Sequence, residues 1–381
     1  MSDLNKLFIL FVFLLGIFLL LKYAALQNPV ALMADKQLKQ RIGQMLLVGF
    51  RGTQAAAASS IVKTLNGLNV GGVILMDYDV PSKTYGRNIV SYSQTKQLIT
   101  NLQKNVKVPL LVAVDAEGGL VNRLKPSLGF LDVPSVQQMG QQTASNTLAI
   151  SQKLGQQLVD LGFNFNLAPV VDVNVNKQNP VIGKIGRSFS SNPKVVAQHA
   201  AAFILGMRQN KIITSLKHFP GHGSSRSDSH LGLVDVTGTY QEQELIPYTM
   251  LLEQGLVDTV MTAHIVNKNI DPNLPATLSP NFVQNILRKQ LGFGGVVVSD
   301  DLQMGAIMDY YGLEQAAVKA VLAGCDLLII SNNVKAYDAQ APAKVYNALL
   351  EAVENGVIPQ GRIVEASNQI ASLKKQFGVI K

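Results

Sequence analysis

The stretch that says most about the fold is Val296-Val297-Val298-Ser299-Asp300-Asp301, in which consecutive branched apolar residues lead directly into a serine and two carboxylates. Because the apolar residues do not alternate with polar ones, the run Val296–Asp301 predicts a strand buried on both faces, as in a parallel sheet covered by helices. Seven further runs of this kind are Met45–Phe50, Val70–Met76, Leu110–Asp115, Phe163–Pro169, Ile213–Phe219, Thr259–Ile265 and Cys325–Ser331.

Segments with apolar residues at helical spacing separate the eight runs. The clearest are Asn146–Leu161, Pro193–Gln209, Asn281–Leu291 and Leu313–Ala323. Eight alternating strand and helix units over about 350 residues predict an α/β protein built as a single (β/α)8 TIM barrel. A doubly wound open sheet is the alternative, but no G-x-G-x-x-G motif opens a helix after any run. We therefore expect the barrel domain to occupy residues 31–381.

Residues 1–30 predict a signal anchor, that is, a transmembrane segment followed by a linker. Leu7–Leu21 is an unbroken apolar run between two lysines, and Leu4–Leu26 reaches the roughly 20 residues that a spanning helix needs if those lysines snorkel. No small-x-small cleavage site follows, which disfavours the alternative of a cleaved signal peptide; a cytoplasmic protein is the third possibility. We expect a bacterial protein whose barrel domain is exported (periplasmic or extracytoplasmic) and attached to the membrane.

The composition narrows the classes of partner. The chain has 381 residues and a formal net charge of +8, a moderate basic excess that suits phospholipid surfaces or acidic cell-wall polymers. It contains no run of five Lys or Arg residues interleaved with aromatic ones, so nucleic-acid binding is not expected. Cys325 is the only cysteine and lies in an apolar run, which predicts a buried, inert thiol.

Polar side chains follow the predicted strands at their carboxyl ends. TIM barrels carry their chemistry at that end of the barrel. The residues concerned are Asp115, Asp172, Lys217, His218, His264 and Asp300.

The most informative of these strand ends opens the segment Lys217–His230, which holds three of the five histidines. His218 and His222 have the spacing of a helical metal site, but a proline and two glycines in the segment disfavour a helix. Asp228 is two residues from His230 and can accept its N–H, which would fix the tautomer and raise the basicity of the ring. This pattern predicts a general acid/base on a mobile loop. An Asx-turn at Asp228 is the alternative.

Two other stretches supply further carboxylates. Asp301, or Ser299, is explained as a helix N-cap, which leaves Asp300 directed into the barrel mouth, where a carboxylate can attack an anomeric carbon. Asp115 and Arg123 can bind sugar hydroxyls, or they can form an internal ion pair.

These motifs together resemble the β-N-acetylhexosaminidase branch of the family 3 glycoside hydrolases. The pattern K-H-F-P-G-H-G, followed after four residues by D-S-H, is intact, and the resemblance covers nearly everything after about residue 37. The matching segments are Lys217–Gly223, Asp228–His230, Ser299–Met304, Asp115–Arg123 and Gly186–Phe189.

The resemblance implies a role for each matched residue. Asp300 would be the nucleophile, His230 the acid/base and Asp228 its orienting partner. The residues implied to hold the first sugar are Asp115, Arg123, Arg187, Lys217 and His218. The implied reaction is retaining hydrolysis of terminal, non-reducing β-linked N-acetyl-D-hexosamine from peptidoglycan fragments or chitin-type oligomers, by a monomer without metal or organic cofactor. Two alternatives remain: a membrane-tethered sugar-binding barrel without catalysis, and a metal-dependent barrel hydrolase.

Overall fold

The computed structural model describes residues 29–229 and 232–381. The predicted apolar anchor and His230 lie outside these residues. Within the described part of the chain, no helix is both long and apolar enough to cross a membrane.

All eight predicted runs contain a strand of one parallel sheet. The strands are β1 (Leu46–Gly49), β2 (Gly72–Ile74), β3 (Leu111–Val114), β4 (Phe165–Asn166), β5 (Ile213–Phe219), β6 (Thr259–Thr262), β7 (Val296–Val298) and β8 (Leu328–Ile330). Their order is β7-β6-β5-β4-β3-β2-β1-β8, and a parallel bridge between Val298 and Leu327 brings the two ends of this order together. The sheet is therefore a nearly closed barrel, which excludes the open-sheet alternative.

Helices cover the outside of the barrel. The α-helices are α1 (Pro29–Gln44), α2 (Ser60–Leu68), α3 (Tyr92–Asn105), α4 (Val136–Gly140), α5 (Ala144–Leu161), α6 (Pro193–Gln209), α7 (Ile246–Glu253), α8 (Gly305–Tyr311), α9 (Leu313–Ala323), α10 (Ala341–Glu354) and α11 (Gln360–Gln376). Two predicted helices have the expected bounds, α6 and α9. A third, α5, begins two residues early, and the fourth predicted segment is a π-helix, Asn281–Gln290.

The strands are buried on both faces, as their continuous apolar runs predict. Leu46, Leu47 and Val48 follow one another in β1 and none is exposed. Full burial of such a side chain contributes about 1.5–3 kcal/mol, so both the barrel interior and the helix-facing layer stabilise the fold. Cys325 is also buried, and its burial raises the pKa of the thiol to about 12, which confirms the expected inert cysteine.

Barrel closure requires a glycine at the end of β1. A Cβ on Gly49 would lie 1.8 Å from the carbonyl oxygen of Ser331. Strands β1 and β8 are paired from Leu46 with Leu328 onward, so any side chain at Gly49 would push them apart.

Short sheets extend the carboxyl-terminal rim of the barrel. One antiparallel pair, Tyr78–Asp79 with Thr84–Tyr85, follows β2, and another, Ala116–Gly118 with Val121–Asn122, follows β3. The third short sheet pairs Val234–Asp235 with Ile265–Val266 in parallel. These pairs hold the loops that surround the barrel mouth.

Candidate active site

A cavity of about 400 Å³ opens at the carboxyl ends of the strands. It brings together all five residues implied to hold the sugar and two of the three implied to be catalytic. These lining residues are Asp115, Arg123, Arg187, Lys217, His218, Asp228 and Asp300. The third catalytic residue, His230, stays a prediction because it lies outside the described residues.

Four charged side chains form an ion network beside the cavity. Lys217 Nζ lies 2.8 Å from Asp115 Oδ1 and 2.6 Å from Glu117 Oε1. Arg187 donates to both carboxylate oxygens of Glu117, at 2.8 and 2.7 Å. Lys217 and Glu117 are almost fully buried. Glu117 belongs to the matched segment Asp115–Arg123, but the resemblance implied no role for it. In the structure it joins the two cations.

Burial and neighbouring charge act in opposite directions on these groups. Burial alone would raise the pKa of Asp115, but the cations of Lys217 and Arg123 outweigh it and hold that pKa below its ordinary value. For Lys217, burial would lower the pKa, yet Asp115 and Glu117 raise it. All these groups therefore stay ionised around neutral pH, and they present fixed donors and acceptors to the cavity.

Replacing Glu117 with Gln should lower the free energy of unfolding by about 3–5 kcal/mol, because it leaves Lys217 and Arg187 without a shared buried counter-ion. Urea denaturation measures this loss. The matched control is Asp35→Asn, which removes the carboxylate of an exposed Asp35–Lys39 pair and should cost less than about 1 kcal/mol. Equal losses in the two variants would show that the ion network does not stabilise the site.

Asp172 orients the histidine that follows β5. Its Oδ2 lies 2.7 Å from His218 Nδ1, and its Oδ1 accepts from the backbone N–H groups of His218 and His222, at 3.2 and 2.7 Å. Because a carboxylate accepts, this contact places a proton on Nδ1 of His218. Nε2 then accepts from Arg187 Nη2, 3.3 Å away, so His218 becomes a rigid part of the cavity wall.

The two histidines of the metal alternative use their nitrogens elsewhere. His222 contacts the hydroxyls of Ser225, 2.8 Å from Nδ1, and Ser229, 3.2 Å from Nε2. Burial, together with the proximity of His218, lowers the pKa of His222 to about 4. Among the described residues, no group of three or more His, Cys, Asp or Glu side chains is arranged to hold a metal ion.

The first half of the loop after β5 is buried and anchored, which corrects the expectation of a mobile loop for that half. Glu244 Oε2 accepts from the backbone N–H groups of Gly223 and Ser224, at 2.9 and 3.2 Å. Asn179 Nδ2 donates to the carbonyl oxygen of His222 at 2.7 Å. Burial raises the pKa of Glu244 to about 7. No sequence motif indicated this role for Glu244, because the residue lies in a separate 3-10 helix, Glu242–Leu245.

The second half of the loop reaches across to the predicted nucleophile. Asp228 is half-buried and lines the cavity. The carbonyl oxygen of Ser229 accepts from the backbone N–H of Ala306 at 3.3 Å, which fastens the loop beside the segment that follows Asp300. The loop therefore places Asp228 on the wall of the same cavity as Asp300.

Asp300 and Asp301 have different surroundings. Asp301 accepts from the backbone N–H of Ser331 at 3.1 Å, from the Ser331 hydroxyl, and from the backbone N–H of Gln303. Burial raises its pKa to about 6. Both carboxylates border the cavity, and Oδ1 of Asp300 accepts a local hydrogen bond from the Asp301 N–H at 2.8 Å. Asp301 thus ties β7 to the loop after β8, while Asp300 is the carboxylate suited to chemistry.

The predicted helix cap is wrong in detail. Helix α8 begins at Gly305 with Met304 in the N-cap position, so neither Asp301 nor Ser299 caps it. The Ser299 hydroxyl instead accepts from the backbone N–H of Ile329 at 3.0 Å. Both side chains bind β8 and its loop because the barrel closes at that point.

Comparison with known proteins identifies the family. Residues 37–373 match the model described as the glycosyl hydrolase family 3 N terminal domain. The chain belongs to glycosyl hydrolase family 3. This assignment confirms the resemblance seen in the sequence motifs and the expectation of a glycoside hydrolase.

Relatives of this family 3 chain have consistent names. A "Beta-hexosaminidase" of Tolumonas auensis is 38% identical over 69% of this chain and 76% of that protein. One from Idiomarina loihiensis is 33% identical over 78% of this chain and 88% of its own length.

Solved structures also match this chain. A β-N-acetylglucosaminidase from Paenibacillus sp. has a TM-score of 0.81 and 35% identity, covering 90% of this chain and 63% of its own. A β-N-acetylhexosaminidase from Beutenbergia cavernae has a TM-score of 0.79 and 30% identity, covering 89% of this chain and 98% of its own.

A further carboxylate near the family 3 site was not anticipated from the sequence. Asp77 follows β2 and is buried, and its Oδ1 lies 3.8 Å from Nη1 of Arg123. Arg123 also reaches Asp115, at 3.5 Å. Because Lys217 is the closer partner of Asp115, the internal Asp115–Arg123 pair is loose, and Arg123 remains part of the cavity wall. A carboxylate directly after a buried run was the signal that could have indicated Asp77.

Proposed function

We propose that this enzyme is a retaining exo-glycosidase that removes terminal, non-reducing β-linked N-acetyl-D-hexosamine from peptidoglycan fragments or chitin-type oligomers. The observation that carries the proposal is that Asp300 and Asp228 line the same cavity as the ion network's Asp115, Lys217 and Arg187. The names of the two similar solved structures, a β-N-acetylglucosaminidase and a β-N-acetylhexosaminidase, support the N-acetylhexosamine specificity.

In the proposed first step, a carboxylate oxygen of Asp300 forms a bond to the anomeric carbon as the glycosidic C–O bond breaks. The N–H of Asp301 donates to Asp300 Oδ1 and thereby orients the carboxylate for attack. His230 gives its proton to the departing oxygen. The product is a covalent glycosyl-aspartate, and the aglycone leaves as an alcohol.

In the second step, His230 takes a proton from water, and the water oxygen attacks the same carbon. The bond to Asp300 breaks, and the two inversions together retain the configuration. Asp228 accepts the N–H of His230 and stabilises the imidazolium in both steps. This assignment uses a histidine where retaining glycosidases usually have a second carboxylate.

The groups proposed to hold the first sugar are ion pairs, so they bind it without presenting a net charge. Lys217 and Arg187 are neutralised by Asp115 and Glu117 at 2.6–2.8 Å. A neutral sugar therefore meets an array of fixed dipoles and charge-assisted donors, which need no reorganisation on binding. No step requires a metal ion, in contrast to the metal-dependent alternative.

The decisive test is turnover of an aryl N-acetyl-β-glucosaminide, with and without chelator, with proton NMR of the first sugar product. We expect hydrolysis that resists the chelator and releases the β-anomer, and much slower turnover of the matched aryl β-glucoside. Binding without turnover would favour the sugar-binding barrel. Loss of activity in chelator would favour the metal-dependent hydrolase, and an α-anomer would contradict retention.

We also propose that residues 1–30 attach the protein to a membrane, with the catalytic domain exported and acting as a monomer. The apolar run Leu7–Leu21 and the missing cleavage site support attachment. Cell fractionation followed by N-terminal sequencing tests it. A mature protein that begins after residue 24 would contradict the anchor, and recovery in the cytoplasm would contradict export.

A further inference from the structure

The antiparallel pair after β2 forms a hairpin with two chemically different faces; residues 78–85 are called the rim hairpin below. Tyr78 is paired directly with Tyr85, and Asp79 with Thr84. Directly opposed residues in a sheet project from the same face, and successive residues from opposite faces. The two tyrosines therefore share one face, with ring centroids 5.0 Å apart at 62°, and Asp79 lies on the other.

The tyrosine face borders the active-site cavity. Tyr78 lines the cavity, as does Val80, two residues further along. Val80 is 40% exposed and Tyr85 is 72% exposed. Val80 both lines the cavity and meets solvent, so it lies at the cavity mouth. Tyr85 does not line the cavity itself but packs against Tyr78, which does. The rim hairpin therefore presents an aromatic and aliphatic surface at the entrance to a cavity whose walls carry both charged and apolar side chains.

The opposite face of the rim hairpin is held by charge. Arg51 donates to both oxygens of Asp79, at 2.9 and 2.8 Å, and the buried Arg87 donates to the same carboxylate. These contacts, with the Arg51 hydrogen bonds contributing most, lower the pKa of Asp79. The guanidinium of Arg51 also lies 4.5 Å from the ring centroid of Tyr337, on the loop after β8.

Asn333 fastens the tyrosine strand to the same loop. Its Nδ2 donates to the carbonyl oxygen of Tyr78, and its Oδ1 accepts from the N–H of Val80, both at 2.9 Å. The rim hairpin is thus fixed on two sides, to the loops after β1 and β8. A surface held this firmly loses little conformational freedom when a ligand binds.

We propose that Tyr78 and Tyr85 form a platform for the sugar ring on the leaving-group side of the cleaved bond. The proposal rests on the proposed function. The ion network that holds the first sugar is buried, since the side chains of Lys217 and Glu117 are 3% and 0% exposed, whereas the platform lies at the mouth. The next ring of an oligosaccharide therefore reaches the platform, and the first ring does not.

An aromatic platform suits a pyranose ring for electrostatic reasons. The face of a tyrosine ring is electron-rich, and the C–H-bearing face of a β-linked pyranose is apolar and slightly positive. Binding sites commonly combine such aromatic surfaces with a few polar groups. The exposed ring of Tyr85 buries little area in the free protein, so its packing does not account for its position.

The test compares Tyr85→Ala with wild type on two substrates that share the first sugar. One is the β-1,4-linked disaccharide of N-acetylglucosamine, and the other is N-acetyl-β-glucosaminyl fluoride, whose leaving group has no ring. We expect kcat/KM for the disaccharide to fall roughly 5- to 10-fold, as for the loss of one aromatic contact, and kcat/KM for the fluoride to stay unchanged.

Two further variants complete the experiment. Tyr85→Phe keeps the aromatic ring and should retain the disaccharide activity of wild type. Val357→Ala removes another exposed apolar side chain, 55% exposed, outside the site, and should change the rate on neither substrate. An unchanged disaccharide rate in Tyr85→Ala would overturn the platform, as would equal losses on both substrates.

The outcome also separates the platform from the function on which it rests. If wild type hydrolyses both substrates and Tyr85→Ala behaves as wild type, only the platform is wrong. If wild type hydrolyses neither substrate, the proposed function is wrong and the platform falls with it.

Discussion

Asp300→Asn is expected to reduce kcat/KM by about 10⁴-fold or more on every substrate, the order of loss produced by deleting a catalytic nucleophile. The amide has nearly the same shape as the carboxylate but cannot form the glycosyl ester. The loss should be as large for an aryl glycoside as for a disaccharide, because both need the same attack whatever the leaving group. Steady-state rates on the two substrates measure it.

The neighbouring carboxylate gives the matched control. Asp301→Asn keeps the nucleophile but replaces the group that accepts from the Ser331 backbone and hydroxyl. Its cost should appear mainly in the free energy of unfolding, at about 1–3 kcal/mol for a disturbed buried hydrogen-bond group. If Asp301→Asn were the inactive variant and Asp300→Asn the active one, the assignment of the nucleophile would be reversed.

His230→Ala is expected to slow cleavage of the disaccharide by about 10²–10⁴-fold, the usual contribution of general acid catalysis. The sugar alkoxide is a basic leaving group and needs the proton. An aryl glycoside with an acidic phenol needs little protonation and should lose much less in the bond-cleavage step. Rapid-mixing measurement of phenol release isolates that step from the later hydrolysis.

Asp228→Ala should show the same dependence on the leaving group in milder form, because it misorients the imidazole without removing it. The position of Asp228 on the cavity wall agrees with that role. Equal slowing of both leaving groups by His230→Ala would instead make His230 a binding residue, and the proposed mechanism would be wrong.

The barrel could be predicted because strands buried on both faces leave continuous apolar runs in the sequence. Helices α6 and α9 could be predicted to the residue from their apolar spacing and end signals. The rim hairpin could not, since its strands are two residues long, too short to establish a period. The tyrosine face therefore became visible only when the pairing register was known.

For the site, the positions of the residues could be predicted from the sequence, but the contacts between them could not. The motif residues were predicted to gather at one end of the barrel, and the seven that the structure describes line one cavity there. Their partners could not be predicted, because spacing along the chain carries no distance between segments far apart in sequence. Asp172 beside His218 and Glu117 between Lys217 and Arg187 are examples. Asp301 was predicted to cap a helix, and that prediction was wrong for a related reason. Ser331, in the loop after β8, donates to its carboxylate instead.

The pairing of β1 with β8 determines when the barrel can close during synthesis of the chain. Strand β1 is synthesised first and its partner β8 last. At ordinary elongation rates, tens of seconds separate the two. Until then β1 and β7 both present open edges with unpaired backbone groups, which can pair with other chains. Gly49 packs directly against the Ser331 carbonyl, so the two strands must approach closely for the barrel to close. We therefore expect the barrel to close, and the open edge of β1 to be covered, only after β8 has emerged near the end of synthesis.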